Sequence, residues 1–234
     1  MVSTRMASLT PLLLAGGLAS RLGDLAADLP KALLGVGGRP FIHLILEALE
    51  GMGFSRAVIC TGHLGDAFIP ILGEKYGGMA LDYSHEKSPL GTAGALVHAR
   101  PLISTSHVLA MNADSFIPFD WDQYFDWHFK CSPAASLVLA RVKDASRYGR
   151  VDVEAGGRVA SFIEKGAGAG GWINGGIYIL ARELLDEIPK GPYSMETQFL
   201  PRLCNGRLFG FPVQGSLVDI GTPGALERVR REGL

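Results

Sequence analysis

The chain has 234 residues, of which 47% are hydrophobic and 19% are charged, so it can bury a substantial core and is not expected to be disordered. Its 22 Lys and Arg residues nearly balance 23 Asp and Glu residues, which leaves no overall positive field to recruit nucleic acid or an anionic membrane surface. An anionic ligand would therefore have to be bound by a local arrangement of residues.

The cysteines and the hydropathy pattern bear on the compartment. Cys60, Cys131 and Cys204 are far apart and form no C-x-x-C pair, so they are interpreted as buried thiols in a reducing environment. The N-terminal stretch lacks the apolar run of a signal peptide, and no later segment has the length of a transmembrane helix. These features predict a cytoplasmic protein without a membrane partner.

The first half of the chain alternates short apolar runs with helical patterns, which is typical of parallel strands joined by right-handed crossovers. The predicted strands of this half are residues 11–14, 57–61, 80–84 and 108–112. Apolar periodicity predicts a helix over residues 40–50, where Pro40 suits the first turn, and a second helix over residues 92–99. The first half is thus expected to be an α/β nucleotide-binding sheet.

After Asp114 the pattern changes, which indicates a substrate lobe. The predicted strands there, with few helices between them, are residues 134–142, 151–153, 159–163 and 176–180. The glycine-rich run 166–171 predicts a mobile loop, and helices over 194–203 and 223–231 flank a short strand at 217–220. We expect one domain, residues 1–234, with a nucleotide-binding core (9–115 and 215–234) and a substrate-binding lobe (116–214). Its fold class is α/β, a Rossmann-like, mixed but mostly parallel sheet flanked by helices.

A glycine-rich segment follows the first strand. The segment and the cations after it are Leu14, Ala15, Gly16, Gly17, Arg21 and Lys31. Two adjacent glycines after a buried strand let the backbone approach a ligand and turn its N–H groups toward an anion. The spacing fits neither the P-loop nor the G-x-G-x-x-G fingerprint, and a tight turn with two surface cations is the alternative.

Two aspartates, Asp114 and Asp219, follow predicted apolar strands. Ligands of open α/β sheets bind beyond the carboxyl ends of strands, and Mg²⁺ is commonly held there by one or two carboxylates plus substrate phosphates and water. An aspartate taken alone is more often a helix cap or a turn residue.

Together these segments resemble the sugar-nucleotide pyrophosphorylase (nucleotidyltransferase) family. Five separated motifs occur in the family's order, over residues 11–225. Within the family the chain is most similar to D-glycero-D-manno-heptose 1-phosphate guanylyltransferases, with mannose 1-phosphate guanylyltransferases close behind. The resemblance implies a GT-A-like fold in which the glycine-rich loop wraps a triphosphate and Asp114 and Asp219 ligate Mg²⁺.

The resemblance also implies roles for the cations and for the loop Glu86-Lys87-Ser88-Pro89-Leu90-Gly91-Thr92-Ala93-Gly94. Arg21 would stabilise pyrophosphate, Lys31 the α-phosphate region and Lys165 the incoming sugar phosphate. The implied nucleotide contacts are Leu14, Ala15, Gly16, Gly17, Glu86, Pro89, Gly91, Thr92 and Asn112.

Glu86 bears on the choice of base. An ionised carboxylate only accepts hydrogen bonds, so it suits the two adjacent donors of guanine, N1 and N2, and opposes the carbonyls of uracil or thymine. This favours GTP over UTP or dTTP. The alternative is a solvated charge on the loop beside Lys87.

The sugar 1-phosphate site is expected to involve Gly149, Glu164, Lys165 and Asn174. Lys165 can neutralise a phosphate, whereas Glu164 and Asn174 suit hydroxyl groups. A charged pair at a strand end is otherwise usually a solvated terminus. One departure from the family lies in Leu18-Ala19-Ser20: Ser20 can supply a hydroxyl, but Ala19 has less backbone freedom than the glycine of many relatives.

The predicted reaction is the condensation of a sugar 1-phosphate with a nucleoside triphosphate to give a nucleotide-sugar and pyrophosphate. Another hexose 1-phosphate and a uridylyl or thymidylyl transfer remain open. A non-catalytic nucleotide-sugar-binding subunit is an alternative of another class, and a dinucleotide-dependent oxidoreductase is disfavoured because its glycine fingerprint is absent. A homo-oligomer is compatible with the sequence, which does not fix the oligomeric state.

Overall fold

The computed structural model describes residues 5–145, 148–163 and 170–233. Its strands are β1 (Leu9–Leu14), β2 (Gly35–Val36), β3 (Arg39–Pro40), β4 (Arg56–Thr61), β5 (Lys75–Tyr76), β6 (Met79–His85), β7 (His107–Asn112), β8 (Ser115–Phe116), β9 (Ala135–Val142), β10 (Arg150–Val153), β11 (Val159–Ile163), β12 (Gly171–Ala181), β13 (Leu208–Val213) and β14 (Val218–Asp219). Its α-helices are α1 (Ile42–Gly51), α2 (Phe68–Leu72), α3 (Gly91–His98), α4 (Trp121–Cys131), α5 (Leu200–Arg202) and α6 (Pro223–Glu232).

Short helical segments of other types link these elements. Those of 3₁₀ type are Gly23–Ala26, Lys31–Leu33, Gly65–Ala67, Arg100–Leu102 and Arg182–Glu187. A π-helical turn, Met195–Phe199, leads directly into α5. Within the described residues, none of the helices combines the length and apolarity needed to cross a membrane.

Ten strands form one central sheet, which confirms the predicted mixed α/β class. Its main path runs β11-β10-β12-β7-β1-β4-β6-β5, and β9 joins β12 to β13. The contiguous strands β7, β1, β4 and β6 are parallel to one another, whereas β12 is antiparallel to both β7 and β9. The sheet is therefore parallel where the chain begins and antiparallel where the second half joins it.

The central strand β1 is apolar except for the buried Thr10, because helices cover both faces of the sheet. Leu13 packs in the same core as Ile45 of α1, whereas its neighbour Leu12 packs in the opposite core with Leu96 of α3, and all four side chains are fully buried. Successive side chains of a strand point to opposite faces, so a strand covered on both sides needs a continuous apolar run.

The sequence prediction was incomplete in the second half. Helix α4 and strand β13 were not predicted, and β12 is longer than the predicted 176–180 because it begins at Gly171. The predicted helix 194–203 is a π-helical turn followed by the short α5. Residues 166–169 of the predicted mobile loop lie outside the described residues.

The cysteine prediction holds only in part. Cys60 is buried, but Cys204 is only half-buried and Cys131, at the end of α4, is exposed. The prediction of a buried thiol is therefore wrong for Cys131, because the last residue of α4 is turned to solvent. Burial raises the pKa of the Cys60 thiol to about 12, so this thiol stays protonated near neutral pH.

The register of the parallel strands places their carboxyl ends side by side. Leu14 is level with Asn112 of β7 and with Cys60 of β4, and Thr61 is level with His85 of β6. The segments that follow these strands therefore leave the sheet at one edge. This is where ligands of such sheets bind.

Candidate active site

The glycine-rich segment and the Glu86 loop meet at this edge of the sheet. A Cβ atom added to Gly16 would lie 3.2 Å from Glu86 Oε1, and one added to Gly62 would lie 2.9 Å from the same oxygen. A Cβ atom at Gly62 would also lie 2.9 Å from the Gly16 carbonyl oxygen, so glycine lets the loops after β1 and β4 approach each other closely beside Glu86. Ala15 is held in place by its backbone N–H, which donates to the Cys60 carbonyl at 2.9 Å.

Ala19 marks a strained point in the glycine-rich segment. Its φ is +50°, in the left-handed region that favours glycine. The sequence had singled out this position because many relatives carry a more flexible residue there. The segment therefore forms a left-handed turn at position 19 although the residue there is alanine and not glycine.

The Glu86 carboxyl group is half-buried within the loop of residues 86–94. Burial raises its pKa, an effect partly offset by the hydrogen bond that it accepts from the backbone of Leu90. Its Oε2 atom is buried and has no hydrogen-bond partner among the described residues. A buried acceptor without a partner is costly, and a ligand donor would relieve that cost.

Asp114 and Asp219 are brought together by the short pair of strands β8 and β14. Asp219 is paired with Ser115, and the backbone N–H of Ile220 donates to the Asp114 carbonyl at 3.1 Å. Asp219 Oδ1 accepts the N–H of Gly221 at 2.6 Å. The two carboxylates thus end up beside each other although they are far apart in the sequence.

Lys31 lies between these aspartates. Its ammonium group donates to Asp114 Oδ2, and the lysine side chain is largely buried, with 14% of its surface exposed. A Cβ atom at Gly221 would lie 3.1 Å from Lys31 Nζ and 2.7 Å from Asp219 Oδ1, so the lysine and both aspartates converge on one point. The Tyr148 hydroxyl also donates to Asp219 Oδ2, at 3.5 Å.

Two cavities adjoin at this point. The first, of about 380 Å³, contains the predicted nucleotide contacts, namely Leu14, Ala15, Gly16, Gly17, Glu86, Pro89, Gly91, Thr92 and Asn112. The second, of about 710 Å³, contains Gly149, Asn174 and Asp219 together with Tyr148, Phe162, Ser194 and Thr197. Five residues line both cavities: Arg21, Lys31, Asn112, Asp114 and Glu196.

Asn174 lies at a bulge of β12 on the wall of the second cavity. Its side chain donates to the Tyr178 hydroxyl at 2.7 Å and accepts the N–H of Gly176 at 2.9 Å. Gly176 has φ +74°, and a Cβ atom there would lie 2.9 Å from Asn112 Nδ2. The bulge therefore needs glycine and fixes the side chain of Asn174.

Part of the predicted sugar-phosphate site, Glu164 and Lys165, lies outside the described residues. In the sequence these two residues directly follow Phe162 and Ile163, which line the second cavity.

Sequence reasoning missed Glu196. This half-buried residue belongs to the π-helical turn Met195–Phe199 and was interpreted only as part of a helix. Ser194, which caps the turn by accepting the N–H of Thr197, was the available signal for its start. Nothing in the linear pattern placed this carboxylate beside Asp114.

Comparison with known proteins gives the family. The sequence matches the nucleotidyl transferase family over residues 10–232, and the chain belongs to this family. This confirms the predicted family and enzyme class. Members of the family generally use divalent metal ions.

Individual relatives agree with that assignment. The chain is 30% identical to the D-glycero-alpha-D-manno-heptose 1-phosphate guanylyltransferase of Aneurinibacillus thermoaerophilus, over 94% of this chain and 96% of that protein. It is 32% identical to the catalytic subunit beta of mannose-1-phosphate guanylyltransferase from Xenopus tropicalis, over 91% of this chain but only 61% of that longer protein.

Among solved structures, HddC from Yersinia pseudotuberculosis superposes with a TM-score of 0.83 at 28% identity, covering 95% of this chain and 98% of HddC. A second structure of HddC, complexed with GMP-PN, superposes with a TM-score of 0.82.

Proposed function

We propose that this protein is a sugar 1-phosphate guanylyltransferase that condenses GTP with a sugar 1-phosphate, D-glycero-D-manno-heptose 1-phosphate in the first place, to give a GDP-sugar and pyrophosphate. The observation that carries the proposal is the junction of the two cavities at Arg21, Lys31 and Asp114. Two substrates that react with each other need adjoining sites, and two anionic substrates need cations where they meet. We further propose that it works in the cytoplasm.

The first cavity would hold the nucleotide. The glycine-rich segment would direct backbone N–H groups at the phosphates, and Arg21 and Lys31 would supply full positive charges. The base would lie against the loop 86–91, where Glu86 presents a buried acceptor without a partner. Guanine is the base that offers two adjacent donors to such a carboxylate.

The aspartate pair fits a magnesium ion. Mg²⁺ prefers oxygen ligands and usually takes one or two carboxylates together with substrate phosphates and water, which matches Asp114 and Asp219 beside the nucleotide cavity. When bound, the ion would neutralise charge that develops on the phosphates. Lys31, which pairs with Asp114 in this structure, would then be available to the α-phosphate region.

The reaction needs no nucleophile from the protein. An ionised phosphate oxygen of the sugar 1-phosphate forms a bond to the α-phosphorus of GTP. The bond between the α-phosphorus and the oxygen that bridges the α- and β-phosphates breaks, and the electron pair of that bond leaves with pyrophosphate. The side chains position the two phosphates and stabilise charge. Arg21 would stabilise the leaving pyrophosphate, and Lys165 would hold the incoming phosphate.

A pyrophosphate-release assay over a matrix of four nucleoside triphosphates and several sugar 1-phosphates tests the proposal. We expect the fastest release with GTP and heptose 1-phosphate in the presence of Mg²⁺. A preference for mannose 1-phosphate would change the assigned sugar substrate but not the assigned reaction. Absence of release with every pair would overturn the proposed function.

A further inference from the structure

Glu196 holds an unusual position for a carboxylate. It lines both cavities at their junction, together with two cations and Asp114. A carboxylate near phosphate groups is repelled by them unless it meets a hydrogen-bond donor or a cation. At the junction of two substrate cavities, such a carboxylate can accept a hydrogen bond from a donor group of a bound substrate.

The glutamate side chain is held in a fixed orientation. Glu196 Oε2 accepts the hydroxyl of Thr92 at 2.7 Å and the hydroxyl of Ser194 at 3.2 Å. The same Thr92 hydroxyl accepts the N–H of Met195 at 2.8 Å, so both the donor and an acceptor site of this hydroxyl are used. A side chain restrained in this way loses little rotamer freedom when it binds a ligand.

The segment before Glu196 is also fixed to the start of α3. The Tyr193 carbonyl accepts the N–H groups of Ala93 at 3.0 Å and of Gly94 at 3.1 Å, and the Tyr193 N–H donates to Leu90 at 2.8 Å. Both Gly91 and Gly94 allow this approach, since a Cβ atom at either would lie 2.7 Å from a carbonyl oxygen of residues 191–193. Backbone hydrogen bonds thus connect the loop of residues 86–94 to the segment that precedes Glu196.

The neighbours of Glu196 decide which substrate it faces. Ser194, Thr197 and Pro201, which flank it in the chain, line the second cavity and not the first. A sugar 1-phosphate in that cavity carries ring hydroxyls close to its phosphate. We infer that Glu196 is a specificity-determining residue that accepts a hydrogen bond from a ring hydroxyl of the sugar 1-phosphate. The inference rests on the proposed function.

The test combines a variant with altered substrates. Glu196→Gln keeps the size of the side chain and removes its charge, and Glu187→Gln, at an exposed glutamate that pairs with Arg207, is the matched control. We expect Glu196→Gln to lower kcat/KM for the sugar 1-phosphate by about tenfold or more, and to change the KM for GTP by less than about threefold. Glu196→Asp, which keeps the charge, serves if the first variant fails to fold.

Monodeoxy sugar 1-phosphates, each lacking one ring hydroxyl, identify the contact. For the wild-type enzyme, kcat/KM should be about tenfold lower with one of these analogues than with the parent sugar 1-phosphate. For the Glu196 variant, kcat/KM should be nearly the same with that analogue and with the parent. An equal loss for every analogue in both enzymes would overturn the inference, because a purely structural Glu196 would give that result.

Two further outcomes also contradict the inference. If the variant instead stops distinguishing GTP from dGTP, Glu196 contacts the ribose. If the wild-type enzyme is active and Glu196→Gln has the same kcat/KM for the sugar 1-phosphate, Glu196 binds no substrate. The proposed function still stands in that case. Only absence of turnover by the wild-type enzyme would overturn both.

Discussion

The two sides of the cleft are built differently. On the nucleotide side, loops leave adjacent parallel strands whose ends are in register, from Leu14 to Asn112, and a single short loop supplies several candidate contacts. On the sugar-phosphate side, candidate contacts come from the bulge of β12, the segment around Gly149 and the π-helical turn at Glu196. Contacts on the first side come in short runs of neighbouring residues at strand ends, whereas those on the second are scattered residues that tertiary packing brings together. The following variants test that difference.

Substitution of Asp114 should give the largest effect because this residue lines both cavities. Replacing it by Ala removes a carboxylate at the junction, and we expect kcat to fall on the order of 10³-fold with Mg²⁺ while the fold is kept. Asp186→Ala, which removes a surface aspartate paired with Arg100, should leave kcat unchanged. Pyrophosphate release and thermal melting check the two statements, and near-normal activity of a folded variant would refute the assignment.

Lys165→Ala separates the two sides. If Lys165 binds the incoming phosphate, kcat/KM for the sugar 1-phosphate should fall by about 10- to 100-fold, since a charge-assisted hydrogen bond contributes roughly 1.5–3 kcal/mol. Binding of GTP alone, measured by calorimetry, should stay within about threefold. Lys130→Ala, at an exposed lysine of α4, is the control. A larger loss in GTP binding than in sugar phosphate use would move Lys165 to the nucleotide side.

Glu86→Gln addresses base choice on the nucleotide side alone. Glutamine replaces one acceptor oxygen with a donor, so the preference for GTP over UTP should shrink by about tenfold, while the exposed neighbour change Lys87→Gln should leave it unaltered. An unchanged GTP-to-UTP ratio in Glu86→Gln, or a wild-type preference for UTP, would show that Glu86 does not recognise guanine.

The same residue predicts a pH dependence. Burial raises the pKa of Glu86, so its carboxylate is protonated at a higher pH than that of an ordinary glutamate. The protonated form is a weaker acceptor for guanine, and KM for GTP should therefore rise as the pH falls through that raised pKa. Steady-state kinetics over a pH series should show this rise in wild-type enzyme and lose it in Glu86→Gln.

Ala19→Gly should have the smallest effect. A left-handed residue other than glycine costs roughly 1–2 kcal/mol, part of which glycine would recover in the bound loop, so KM for GTP should fall by a few-fold. Ala27→Gly is the matched control, because Ala27 has φ −66° and gains nothing from glycine. A KM for GTP that rises in Ala19→Gly would show that the turn is not strained.

These variants also indicate where sequence reasoning succeeds. The parallel strands and the loops after them were predictable, because apolar runs and Gly16-Gly17 report local conformation directly. Asp114 and Asp219 could be singled out as strand-end residues, yet only the β8–β14 pairing brings them together.

The remaining features depend on packing that a linear pattern does not encode. Strand β13 lies beside β9 in the sheet, a parallel pairing between distant segments. Helix α4 was missed although Asp120 caps it by accepting the N–H of Gln123 at 3.0 Å. Glu196 is significant because it lies at the junction of the two cavities, in a segment that Tyr193 backbone contacts fix to α3.

The central claim is that both substrates occupy adjoining cavities together and react directly. Initial velocities of pyrophosphate release, with GTP and the sugar 1-phosphate varied against each other, test it most directly. The account predicts intersecting double-reciprocal lines and no exchange of labelled pyrophosphate into GTP without sugar phosphate. Parallel lines accompanied by such exchange would demonstrate a covalent nucleotidyl-enzyme and contradict the account.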